Sequence, residues 1–242
     1  MKVLWVTVNT TGLEPTVANV IQMSVALQVE GDVVKRLTWD LFPVFHKVDQ
    51  VFSGKSHDDF LRAYHGWLPN IDPRYTLEKC DAGDLTYFYN EDTMRYLRMK
   101  PTDLLKDRSD PTKALSELQN VLASFGGKKW LIAGHNVAFV SETLLGWTLR
   151  ADKLIYADLK KLVQFDKSID TVPFFKVVAA FKPEIAQHGF GLKELASALG
   201  SKPATMDTES KLDGLLSVCG TVISGGTPHG RAQAANHHPL PS

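Results

Sequence analysis

The spacing of apolar positions changes character along the chain. Residues 2–8 (Lys-Val-Leu-Trp-Val-Thr-Val) are rich in β-branched and aromatic side chains and read as a strand. Apolar runs at 20–29 and 33–44 follow it. The Thr10-Thr11-Gly12-Leu13-Glu14-Pro15 segment and the Gly31-Asp32 pair separate the three runs with turn chemistry, so an antiparallel three-stranded meander is predicted. From 46 to 108 the pattern dissolves into Pro, Gly, Asp and aromatic residues, the mark of an insertion with short helices at 58–66 and 91–99. Beyond it the period lengthens. Ala114, Leu115, Leu118, Val121, Leu122 and Phe125 recur on one helical face, started by Asp110-Pro111 and stopped by Gly126-Gly127. A short apolar run at 130–133 suits a buried strand, 141–149 a helix, and 153–157 a further strand ending at Asp158. Helices at 192–199, capped by Gly200, and at 208–222 complete the order: three strands, an insertion, then α-β-α-β and three helices.

That order predicts one mixed sheet flanked by helices, an α/β or α+β sandwich. The 242 residues favour one domain over 1–223 with the insertion at 46–108. Residues 224–242, poor in apolar side chains and rich in Gly, Pro and His, are expected to form a disordered tail.

Composition narrows the function classes. Apolar residues make up 44% of the chain and charged residues 22%, as in ordinary globular proteins. Formal net charge is zero, which disfavours broad electrostatic binding of long nucleic acid, since each neutralised phosphate needs a Lys or Arg. Cys80 and Cys219 stand far apart without a CxxC spacing, so neither a disulfide framework nor a structural zinc site is suggested, and a reducing, cytoplasmic setting is expected. No window approaches the roughly 20 apolar residues of a membrane span. His46, His57 and His65 lack metal-ligand spacing and read as solvated or core histidines. Arg95, Arg98, Lys100, Lys106 and Arg108 alternate with Asp92, Asp103, Asp107 and Asp110, a mixed-charge face by the ordinary reading and a nucleic-acid groove by the minority one. Tyr87, Phe88, Tyr89 and Tyr96 are either core or an anchor for a protein partner.

Three segments carry candidate chemistry: Val6-Thr7-Val8-Asn9-Thr10-Thr11-Gly12-Leu13, Gly134-His135-Asn136-Val137-Ala138-Phe139-Val140, and Met206-Asp207-Thr208-Glu209-Ser210-Lys211. In order and spacing they resemble the DxETTGL, GHNxxFD and HxxxxD motifs of the DEDD family of 3′-to-5′ exonucleases, DEDDh type. The resemblance implies a ribonuclease H-like fold. Asp92-Thr93-Met94-Arg95-Tyr96-Leu97 resembles a Thr-x-x-Trp-Trp helix of the phage and exodeoxyribonuclease VIII branch, with Tyr96 in place of a tryptophan, and Tyr156-Ala157-Asp158-Leu159-Lys160 resembles its Arg-Asp-Leu-Arg segment.

On this resemblance the four metal-holding carboxylate positions fall on Thr7, Asn9, Val140 and Lys211, and the general-base histidine on Met206. Two-metal hydrolysis needs anionic oxygen ligands that hold two ions about 4 Å apart. The replacements supply none, and Lys211 would bring a like charge to the metals' place. No acid lies between Lys2 and Glu14 to substitute from a neighbouring register, Glu142 belongs to another helix face than Val140, and Asp207 or Asp213 could restore one acid only. Lys211 is expected to fill the vacated space as an internal counter-charge or a phosphate contact.

The resemblance therefore implies a catalytically inactive, pseudoenzyme form of the exonuclease fold that binds a protein partner, with no cofactor and no metal, from a viral or bacterial source and directed at a host protein. The alternative is a metal-independent binder of single-stranded nucleic-acid ends, and a weaker one an active nuclease with non-standard ligands. Thr10, Thr11, Leu13, His135, Asn136, Arg95 and Tyr96 are the candidate contacts for nucleic acid or partner. For Thr10, Thr11 and Gly12 a structural turn is the favoured reading. For His135 and Asn136 it is capping of the following helix, and for Asp158 a structural role at a strand end.

Overall fold

The computed structural model describes residues 1–15, 18–47, 75–79, 85–181, 189–199 and 205–224. The helix expected at 58–66, the Gly200 cap, Cys80, His57, His65 and the tail lie outside them.

The meander forms as the sequence dictates. Strand β1 (Lys2–Thr10) pairs antiparallel with β2 (Val20–Val29), and β2 with β3 (Asp32–Asp40). Later strands β7 (Trp130–Gly134) and β8 (Val163–Asp170) extend the sheet in parallel, giving a five-stranded mixed sheet in the order β3-β2-β1-β7-β8. Because side chains alternate across a strand, β1 serves both faces. Leu4 and Val6 enter a core with Met23, Val25, Trp130 and Ile132. Val3 and Trp5 face the other way, toward Leu212, Leu215 and Cys219.

Helices cover both faces. On the first lie α2 (Pro111–Ser124), α3 (Val137–Ala151) and α4 (Lys153–Leu162), contributing Leu115, Leu118, Leu144, Trp147, Ile155 and Leu159 to the core. Each such fully buried side chain contributes roughly 1.5–3 kcal/mol by removal from water. On the second lies α7 (Thr208–Ser224), with α6 (Leu192–Ala198) and α5 (Thr171–Phe181) packed beside it through Phe175, Ala179, Leu195 and Val218.

The described part of the insertion holds more regular structure than its sequence suggests. Strands β4 (His46–Lys47), β5 (Tyr75–Lys79) and β6 (Leu85–Asn90) form a second sheet in the order β4-β6-β5, followed by α1 (Glu91–Leu97) and a 3₁₀ turn (Pro101–Leu105). Tyr87, Tyr89, Met94 and Leu104 bury themselves against Ile21 of β2. Arg108 ties the segment down by donating to the carbonyls of Ile21 (2.7 Å) and Asp103 (3.1 Å). Tyr87, Phe88 and Tyr89 are therefore core.

One element differs from its expectation. Residues 153–157, read as a strand, begin helix α4. Asp152 caps it, accepting from the amides of Leu154 (2.7 Å) and Ile155 (3.0 Å), and Ile155, Leu159 and Leu162 follow at helical spacing. The strand comes later, as β8. There the register slips between Leu131 and Ile132, whose partners are Gln164 and Ser168, and Asp166 and Lys167 lie in the irregular stretch. Such a charged, irregular edge strand carries little of the alternation by which strands are recognised.

Candidate functional site

β1 and β7 run parallel, and their carboxyl ends open toward the amino ends of α3 and α7. Ligands of open α/β sheets bind at this kind of edge. Thr7 continues the face of β1 set by Val3 and Trp5, so it meets α7: its Oγ1 donates to the carbonyl of Thr208 (2.7 Å). Asn9, one step further along the same face, donates from Nδ2 to the carbonyl of Met206 (2.7 Å) and to Oε1 of Gln22 (2.6 Å). The Oδ1 of Asn9 accepts from Nζ of Lys211. Ser24 of β2 joins them, sharing a hydrogen bond with Oγ1 of Thr208 (2.8 Å). A ladder of hydrogen bonds, neutral except for that from the Lys211 ammonium, thus fastens α7 to the sheet.

Above this ladder lies a cleft of about 310 Å³ whose lining includes Thr7, Phe139, Val140, Met206, Lys211 and Tyr96. The positions that sequence resemblance equates with metal ligands and general base (Thr7, Asn9, Val140, Met206, Lys211) are therefore brought together, Asn9 through its bonds to Met206 and Lys211. Burial pushes the pKa of the Lys211 ammonium below its ordinary value, while the Asp207 carboxylate pulls it back up. Among the described residues no carboxylate lies within ion-pair distance of it.

The two flanking acids are committed elsewhere. Asp207 caps α7, accepting from the amide of Ser210 (2.7 Å) and the hydroxyl of Thr205, and these bonds hold its pKa low. Asp213 pairs with Arg36 of β3. Within the lining, Glu194 supplies a carboxylate, and its side chain folds back over Gly191, where even a Cβ would collide with it. As a donor set for divalent cations, Thr7, Asn9, Val140 and Lys211 do not fit: two offer neutral oxygens already engaged, one offers no polar atom, and one is itself a cation.

The proposed contacts divide. Tyr96 is 65% exposed and lines the cleft, as do His135 and Asn136. Leu13 is 77% exposed on the loop after β1. Thr10 and Thr11 turn inward: Thr10 Oγ1 donates to the carbonyl of Gly12 (2.6 Å), and Thr11, fully buried, accepts from the amide of Asn19 (2.9 Å) while its carbonyl receives the Asn90 amide (2.7 Å). Both are buried, and Thr11 ties the turn to the insertion. Arg95 is exposed at the end of α1 and pairs with Asp92 (3.2 Å).

His135 and Asn136 do not cap α3. Asn136 adopts a left-handed conformation (φ 57°) and its side chain makes no capping bond. Asp170, at the end of β8, caps α3 instead. Its carboxylate accepts from the amides of Asn136 and Val137 (3.1 Å each) and also from Val172 (2.9 Å) in the first turn of α5. His135 bonds through Nδ1 to Oγ1 of Thr171 (3.0 Å), which lies 3.2 Å from the carbonyl of Gly134. Burial lowers the His135 pKa, against the opposing pull of Asp170 and Glu194. Sequence reading missed Asp170, although an acid before Thr-Val-Pro and an apolar run is a helix-start signal. Asp158 lies outside this site, on α4, bonded to Lys161 (2.8 Å) and Gln119 (3.0 Å).

The sheet order, the flanking helices and the cleft at the strand ends define a ribonuclease H-like fold of the exonuclease type. The particular likeness is to exonuclease I. The zinc-bound form of the E. coli exonuclease I complex with single-stranded DNA superposes with a TM-score of 0.61 at 14% identity, covering 93% of this chain and 40% of that one. Exonuclease I of the moderately thermophilic Methylocaldum szegediense gives 0.57 at 12% identity, covering 94% and 42%, and an exonuclease I complex with SSB-Ct gives 0.53 at 13%, covering 91% and 41%. The chain thus spans about two fifths of the exonuclease I chains it resembles. No family model and no curated protein matches it in sequence.

Proposed function

We propose that this chain is a catalytically inactive member of the exonuclease fold that works as a binding module, with its cleft as the contact surface and a protein as its partner. The Lys211–Asn9 hydrogen bond carries this reading. An ammonium there faces the space in which a two-metal nuclease would concentrate its cations, and repels a divalent ion by on the order of several kcal/mol even at an effective dielectric of 20. Asn9 and Thr7, turned to neighbouring carbonyls, offer no compensating charge. The resemblance to phage exonucleases extends the reading to a phage-encoded protein directed at a host protein. Incubation of the purified chain with labelled oligonucleotide and Mg²⁺ or Mn²⁺ tests the inactive reading. No digestion is expected, and metal-dependent digestion that copurifies with the chain would overturn it.

A second reading, metal-independent binding of a single-stranded nucleic-acid end, draws support from Tyr96, an exposed ring at the rim of the cleft on which a base could stack, and from the single-stranded DNA carried by a structural neighbour. Filter binding across a salt series separates the two. Affinity for a short single strand that falls as salt rises supports this second reading, and no retention at low salt removes it.

A further inference from the structure

The cleft sets the Lys211 ammonium beside an apolar wall, with Lys193 and Glu194 also in its lining. Lys211 Nζ carries three protons and finds one neutral acceptor, Asn9 Oδ1, among the described residues. A charge so placed has lost much of its hydration, Asp207 acts on it only from beyond ion-pair distance, and an arriving anion relieves the remaining cost. Val6, Phe139, Val140, Leu192 and Met206 line the space beside it. The complement is a single anionic group attached directly to an apolar body.

A polynucleotide matches this poorly. A single-strand track needs a row of cations for successive phosphates, whereas the cleft offers Lys211 and Lys193 and sets Glu194 among them. A peptide end matches well, because the last residue of a protein places a carboxylate one atom from its own side chain. Capture of terminal carboxylates is a known mode of peptide recognition, and here the lysine would take the place of backbone amides. The volume of about 310 Å³ lies at the small end of ligand pockets, suited to one terminal residue and not to a folded surface.

Resting on the binding-module reading, and naming its partner class, we infer that the cleft receives the carboxyl terminus of a partner protein ending in an apolar residue, the terminal carboxylate on Lys211 Nζ and the last side chain against Phe139, Val140 and Met206. The carboxylate takes the remaining ammonium protons, and Asn9 holds the lysine in place.

Fluorescence anisotropy of the full chain tests this with two labelled octapeptide pools that share a fixed last Phe or Leu and random preceding positions. One pool ends in the free carboxylate and the other in the carboxamide. The free-acid pool is expected to bind about tenfold more tightly, the worth of one charge-assisted hydrogen bond. Lys211→Met abolishes the difference and Lys211→Arg preserves part of it. The acid-to-amide comparison on the unaltered chain stands even if the Met variant folds poorly. Equal binding of acid and amide overturns the inference, as does preferential binding of a labelled oligothymidylate used as competitor. Digestion of that oligonucleotide in the presence of Mn²⁺ would instead overturn the inactive reading itself, so the two failures are distinct.

Discussion

Lys211 on α7 donates its ammonium to the side-chain oxygen of Asn9 on β1, a pair separated by 202 positions in sequence and joined at the floor of the cleft. In the sequence resemblance both residues fall at positions that the motifs give to acids. The bond sets one protein cation against one neutral amide.

The lysine makes stability depend on pH in a defined direction. Burial lowers its pKa in the folded state, so the unfolded chain holds the proton more tightly. Below the folded-state pKa both states are charged and the fold bears the full cost. As pH rises from there toward about 10.4, the folded chain releases its proton first and stability gains. Lys211→Met is expected to remove this rise. The difference in Tm between the two proteins, followed through the alkaline range, should shrink as pH increases.

His135 acts in the acid range. Its folded-state pKa lies below 6.5, so the unfolded state binds the proton first as pH falls, and stability drops through the window beneath that value. His135→Gln is expected to flatten that part of the stability profile, measured by urea unfolding between neutral and mildly acidic pH.

Asp170 serves three amides at once, two at the start of α3 and one in α5. Asp170→Ala is expected to cost about 2 kcal/mol or more, since it strips a charged cap from two helices. Asp170→Asn, which keeps an acceptor and loses the charge, should cost less. Urea denaturation of the two variants measures the ranking, and a cost below about 0.5 kcal/mol for the alanine would refute the shared cap.

The turn after β1 contains two kinds of residue. Thr11→Val, which leaves the Asn19 amide without its acceptor in a buried site, should destabilise by about 1–3 kcal/mol. Leu13→Ala, at a residue 77% exposed, should leave stability within about 0.5 kcal/mol. A loss of partner affinity in Leu13→Ala at unchanged Tm would mark Leu13 as a contact.

Much of this could be read from the chain alone. The meander follows from β-branched runs with turn chemistry between them, and the pairing of Thr7 and Asn9 on one face follows from the strand period. The alignment that put Met206 and Lys211 with them rested on spacing alone, yet the structure brings both to the same cleft. What stayed hidden has a physical reason in each case. Residues 153–157 are too short to separate strand from helix by period, and Asp152, the cap that decides, stands just before them. Asn136 has the residue type of a helix cap, but its left-handed backbone gives that task to Asp170, 34 positions away. Strand β6 of the insertion packs Tyr87 and Tyr89 against Ile21 of the main sheet, a tertiary contact that no local pattern expresses.

The central claim is that a lysine ammonium, and not a pair of divalent ions, occupies the floor of this cleft. Titration of the chain with Mn²⁺, following free Mn²⁺ by electron paramagnetic resonance, tests it most directly. The account predicts that the free-ion signal grows as in buffer alone, with no saturable uptake. Saturable binding of two ions per chain, lost on Asn9→Ala, would contradict it.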